Sequence, residues 1–61
     1  MAHYRLFYLS PIGRIQAAEI IEADSDENAI QEAERRFAQR QDYPASYELW
    51  TGPRLVHRRG P

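Results

Sequence analysis

Along Tyr4-Arg5-Leu6-Phe7-Tyr8-Leu9 the side chains alternate between the two sides of an extended strand, and neither side is wholly polar. Tyr4, Leu6 and Tyr8 point one way, while Arg5, Phe7 and Leu9 point the other. This first strand is expected from about His3 to Ser10. It meets a turn, Ser10-Pro11-Ile12-Gly13-Arg14, in which proline suits the second position of a type I turn and Gly13 supplies the left-handed residue that follows. A second strand spans roughly Arg14 to Ala23. Its apolar positions, Ile15, Ala17, Ala18, Ile20, Ile21 and Ala23, slip phase at Ala17-Ala18, which predicts a bulge or bend there.

The pattern then changes period. Asp24-Ser25-Asp26-Glu27-Asn28 reads as a helix start, with Asp24 or Ser25 as the cap and the carboxylates near the positive end of the helix dipole. Ala29, Ile30, Ala33 and Phe37 recur at helical spacing among polar neighbours, and the helix should stop near Gln41 because Pro44 disfavours helical backbone before it. Ser46 to Thr51 reads as a third strand and Arg54 to Arg58 as a fourth, with Gly52-Pro53 between them. The expected fold is α+β in the order ββαββ: a small, mostly antiparallel four-stranded sheet with one helix packed on one face. The pattern leaves open whether the second and third strands touch or the first lies between them; apolar side chains on both sides of the first strand favour its central position. Leu6, Ile30, Ala33 and Phe37 are expected to meet between helix and sheet.

One helix covers one face of a sheet, so the face bearing Arg5, Phe7 and Leu9 is left with large apolar groups that need a partner. Trp50 and Val56 are expected to join it. Length strengthens this inference. A chain of 61 residues makes one domain, residues 1–61 with 59–61 as a frayed tail, and buries only about 60% of the surface its unfolded form exposes. Scaffolds of this size usually add disulfides, metals or oligomerisation. The absence of cysteine removes disulfides and thiolate metal sites, which leaves self-association. The longest uninterrupted apolar run, Leu6 to Leu9, is far too short to cross a bilayer, and nothing resembles a signal peptide. A cytoplasmic protein without a membrane partner is the expectation.

Candidate chemistry adds little. The formal charge of −1 gives no global pull toward nucleic acid or anionic membranes. The acidic stretch at Asp24 to Asn28 lacks the glycine and the twelfth-position glutamate of a calcium loop, and capping accounts for it; no metal site or cofactor is expected. His3 and His57, even if the first and fourth strands brought them together, lack a third ligand. No serine stands in a readable triad, and the glycines serve turns or the tail, so no catalytic residue is assigned. Arg54, Arg58 and Arg59, with Tyr47 and Trp50 on the neighbouring strand, form the one arrangement suited to stacking bases and holding phosphates.

Glu48-Leu49-Trp50-Thr51-Gly52-Pro53-Arg54-Leu55-Val56, the opening Tyr4 to Leu9 strand, the Gly13-Arg14-Ile15 turn exit and the Asp24 to Glu27 helix start together carry a resemblance. The chain resembles a group of very small bacterial proteins with a Tyr-Arg first strand, an acidic-capped helix and a closing Glu-Leu-Trp-x-Gly-x-Arg-Leu-Val strand pair, to which no function is assigned. What that implies is a compact bacterial domain without a transferable catalytic residue. A looser similarity of architecture, a hairpin followed by an acidic-capped helix, is shared with antitoxin domains of the HicB kind. The expected function is a noncatalytic interaction module, binding a copy of itself as a dimer or another protein through the open sheet face or a strand edge. The alternative is a nucleic-acid-linked or antitoxin-like regulator using the arginine-rich fourth strand.

Overall fold

The computed structural model describes residues 1–60. β1 (Ala2–Leu9), β2 (Ile15–Ala23), α1 (Asp26–Gln39), β3 (Ser46–Thr51) and β4 (Arg54–Arg59) follow in that order. The strands form one antiparallel sheet in the order β2-β1-β3-β4, so β1 lies inside it. The two connections within hairpins are set by glycine. In the first, the Gly13 amide donates to the Ser10 carbonyl at 2.9 Å and Gly13 takes φ of 84°. In the second, Gly52 takes φ of 56° and Pro53 follows. A positive φ and then proline's fixed negative one match a type II′ turn, whose twist suits a tight hairpin.

Ser25, one of the two expected caps, is the one used. Its hydroxyl accepts from the Asn28 amide at 3.1 Å, and its carbonyl accepts from the Ala29 amide at 3.0 Å. Ser25→Ala should therefore cost about 1 kcal/mol, measurable by urea unfolding; an unchanged midpoint would show that the cap contributes nothing. The helix stops at Gln39, short of Gln41, because Arg40 turns extended. The Arg40 guanidinium then grips Asp42 at 2.9 and 2.6 Å and lies 4.3 Å from the centre of the Tyr8 ring. Tyr43 carries φ of 49°, uncommon for a bulky residue, as the chain turns into buried Pro44 and β3.

The core differs from expectation in which aromatic residues fill it. Leu6 and Ala33 are buried as expected, but Ile30 and Phe37 are only half-buried at its margin. Its bulk comes from Tyr4, Tyr8, Tyr47, Ile21 and Leu49, with Ala29 and Ala33 letting the helix approach closely. Two of the tyrosines reach carboxylates of α1: Tyr4 donates to Asp26 at 2.7 Å and Tyr47 to Glu34 at 2.6 Å. Each carboxylate is also held from β4, Asp26 by Arg54 at 2.9 and 3.1 Å and Glu34 by Arg59. Arg59 thus belongs to β4 and clamps the helix, contrary to its assignment to a frayed tail; Pro61, also placed in that tail, lies outside the described residues.

The bulge in β2 lies elsewhere than predicted. Pairing runs without a break from Ala2↔Ala23 to Tyr8↔Ala17 and then jumps to Leu9↔Ile15, leaving Gln16 as the extra residue. Ala17 and Ala18 do not mark a slip. Ala17 packs against the core while Ala18 is exposed opposite Phe7, so β2, like β1, carries apolar side chains on both faces.

Candidate interaction face

Residues directly opposite one another in an antiparallel sheet share a face, so the pairings map the side that α1 leaves bare. One row across it reads Ile20, Arg5, Trp50 and Leu55, from β2 to β4. The next reads Ala18, Phe7, Glu48 and Arg58. Beyond it lie Ile15 and Leu9. Ile20 is 59% exposed, Ile15 61% and Leu55 38%, whereas Phe7, Leu9 and Trp50 are half-buried. Arg5, Phe7, Ala18, Glu19 and Ile20 line a shallow hollow of about 210 Å³.

Four of the five residues expected on this face are together there: Arg5, Phe7, Leu9 and Trp50. Val56 is the exception. A register shift opposite Leu49 and Trp50 leaves Val56 unpaired, and it packs against the core, so Leu55 takes the place on the open face. Sequence reasoning missed Ile15, Ile20 and Leu55. Ile20 was readable, since its neighbour Ile21 faces the helix and alternation must send Ile20 the other way.

The polar groups of the face are partly locked. Glu48 accepts from the Trp50 indole nitrogen at 3.1 Å and from Arg58 Nε at 3.1 Å. His3 Nε2 stands 3.8 Å from Glu22 at the margin. Arg5 is different: among the described residues its side chain has neither a hydrogen bond nor an ion pair, although its backbone belongs to the ladders with β2 and β3.

The residues considered for nucleic-acid contact do not share a surface. Arg54 and Arg59 turn toward the helix, in ion pairs with Asp26 and Glu34, while Arg58 lies on the open face with Glu48. Tyr47 is fully buried and Trp50 stands on the opposite side of β3. The stacking platform is therefore not assembled. The histidines are separated too, since the His57 ring lies 5.9 Å from that of Tyr47, tilted by 50°, on the helix side and His3 belongs to the open face.

Electrostatics on the helix side serve docking. Hydrogen bonds from Arg35 and then Arg36 hold the Glu32 carboxyl down to about 2, and Arg40 does the same for Asp42, also to about 2. Arg54, followed by Tyr4, lowers Asp26. The Tyr8 hydroxyl is buried without a hydrogen-bond partner; burial first and then the Glu19 charge push it up to about 12. Among the described residues no three His, Cys, Asp or Glu side chains group to hold a metal ion, and no helix is long and apolar enough to cross a membrane. No family model, curated protein or solved structure matches the chain.

Proposed function

We propose that the protein is a noncatalytic interaction module that self-associates by packing the open faces of two copies together. One observation carries this reading: Phe7, Leu9, Ile15, Ile20, Trp50 and Leu55 share a sheet face that, among the described residues, no other element covers. Monomers rarely leave contiguous apolar patches larger than a few hundred Å² in water. Four strands about 4.8 Å apart and about 20 Å long present roughly 400 Å². Two such faces bury about 800 Å² together, below the 1,200–2,000 Å² of standard interfaces, so the expected dimer is a weak one; we assign it a dissociation constant of about 10 µM to 1 mM, or roughly 4–7 kcal/mol of association.

A second copy suits this face because it carries both signs of charge near its centre, Arg5 without a side-chain partner among the described residues and Glu48 oriented by Trp50 and Arg58. Two-fold pairing is also the commonest arrangement of soluble oligomers. Sedimentation equilibrium over a concentration series provides the test. The parent protein should shift from monomer toward dimer within that range, whereas Phe7→Glu combined with Leu9→Lys should remain monomeric with an unchanged circular dichroism spectrum. A parent that is still monomeric at about 1 mM, the weak limit of that affinity range, would refute the reading.

A further inference from the structure

We infer that Arg5 of one copy pairs with Glu48 of a second copy, and that this contact sets the orientation of the dimer; the inference rests on the self-association proposed above. Of the eight arginines, six are engaged. Arg35 and Arg36 bind Glu32, Arg40 binds Asp42, and Arg54, Arg58 and Arg59 bind Asp26, Glu48 and Glu34. Arg14 and Arg5 are the two without a partner among the described residues. Arg14 adjoins the β1–β2 turn, where water solvates it. Arg5 stands between Ile20 and Trp50 in the middle of the apolar face. A second apolar surface laid over it would strand a charge, which burial penalises heavily unless an anion is supplied.

The same face offers that anion to a second copy. Glu22 is at the margin beside His3, and Glu19, opposite Leu6, lies on the helix side of the sheet with Arg36 at 2.9 Å and Arg40 at 3.1 Å. Glu48 lies nearer the centre, its carboxylate fixed by Trp50 and by Arg58, which approaches to 2.9 Å. A carboxylate has about four lone-pair sites, so the Trp50 nitrogen and the two Arg58 nitrogens leave room for one more donor. Within one chain Arg5 and Glu48 are diagonal neighbours and do not bond.

A two-fold axis parallel to the strands and midway between β1 and β3 lays β1 of each copy over β3 of the other. Arg5 then faces Trp50 of the second copy, with Glu48 two residues away, about 7 Å along the strand. Across a sheet spacing of about 10 Å an arginine spans that offset and can cover the indole face as it does so. The same axis sets Ile20 over Leu55. Symmetry makes every contact twice.

A charge exchange tests the assignment. Arg5→Glu alone sets carboxylate against carboxylate at the contact, and Glu48→Arg alone sets guanidinium against guanidinium, so each variant should dimerise at least about tenfold more weakly than the parent. Mixed in equal amounts, the two variants place Arg5 and Glu48 of the intact positions opposite each other in one pair and the exchanged charges opposite each other in the second. Sedimentation equilibrium should then show dimers restored, with native mass spectrometry showing one chain of each kind. Circular dichroism of each variant verifies folding. If Glu48→Arg does not fold, Glu48→Gln preserves the shape, and it and Arg5→Gln should each weaken dimerisation while the double variant is no weaker than either. Variants that dimerise like the parent, or a mixture that stays monomeric, would overturn the contact alone. A monomeric parent overturns the self-association along with it.

Discussion

Tyr47→Ala is expected to cost about 3–5 kcal/mol, the range for deleting a buried ring. A chain of 61 residues has a total stability of about 3–9 kcal/mol at typical values per residue, so most of the margin disappears. Tyr47 is central because it joins every layer. Its ring is fully buried, with Phe37 at 5.3 Å and His57 at 5.9 Å, and its hydroxyl ties β3 to Glu34 of the helix. Tyr47→Phe keeps the ring and loses one hydrogen bond, for about 1 kcal/mol. Urea unfolding of both variants separates the two contributions. A Tyr47→Ala protein within about 1 kcal/mol of the parent would show that the core closes without this ring, contrary to the expected cost.

Alkali is expected to unfold the protein through the same layer. Tyr8 is raised chiefly by burial, Tyr47 by burial and then its bond to Glu34, and Tyr4 by its bond to Asp26 and then burial. A tyrosine whose folded pKa exceeds its unfolded value of about 10 contributes stability that is complete below pH 10 and is lost as the pH rises through the folded value. For Tyr8 that upper limit is about 12. The shift corresponds to roughly 2–3 kcal/mol, and the other two tyrosines act in the same direction. Tyrosinate absorbance should therefore rise together with loss of circular dichroism between about pH 10 and 12. Tyr8→Phe removes a buried hydroxyl that bonds to nothing, so it should leave stability at pH 7 equal or higher and move the alkaline transition upward. Tyrosines that ionise while the fold persists would contradict this account.

The element order and the division of β1 side chains between two faces were legible in the sequence, because each position from Tyr4 to Leu9 is large enough to mark its side; the central position of β1 was favoured by that pattern and left open until the pairings fixed it. In β2 the small Ala17 and Ala18 concealed an unbroken alternation, and the extra residue proved to be polar Gln16. The exchange of Val56 for Leu55 follows from a register shift between two apolar neighbours, and hydropathy alone does not distinguish them. Phe37 drew attention as the large residue of the helix, yet close approach at Ala29 and Ala33 gives the interior to tyrosines from the sheet. Their hydroxyls are admitted because Asp26 and Glu34 receive two of them. Arg54, Arg58 and Arg59 look like a basic patch only while their carboxylate partners, which are distant in the chain, go unseen.

The interior position of β1 also bears on how the chain acquires its shape during synthesis. The β1–β2 hairpin can close early, but the second edge of β1 waits for β3, which begins only at Ser46. Translation at about 5–20 residues per second makes the wait from Ala23 to Ser46 roughly 1–5 s. Throughout it the nascent hairpin carries Leu6 and Tyr8 on one side, Phe7 and Leu9 on the other, and an unsatisfied row of amides and carbonyls between them. Such a hairpin is the aggregation-prone form of this chain, and a cell that makes the protein in quantity must finish it quickly or shield it while it waits.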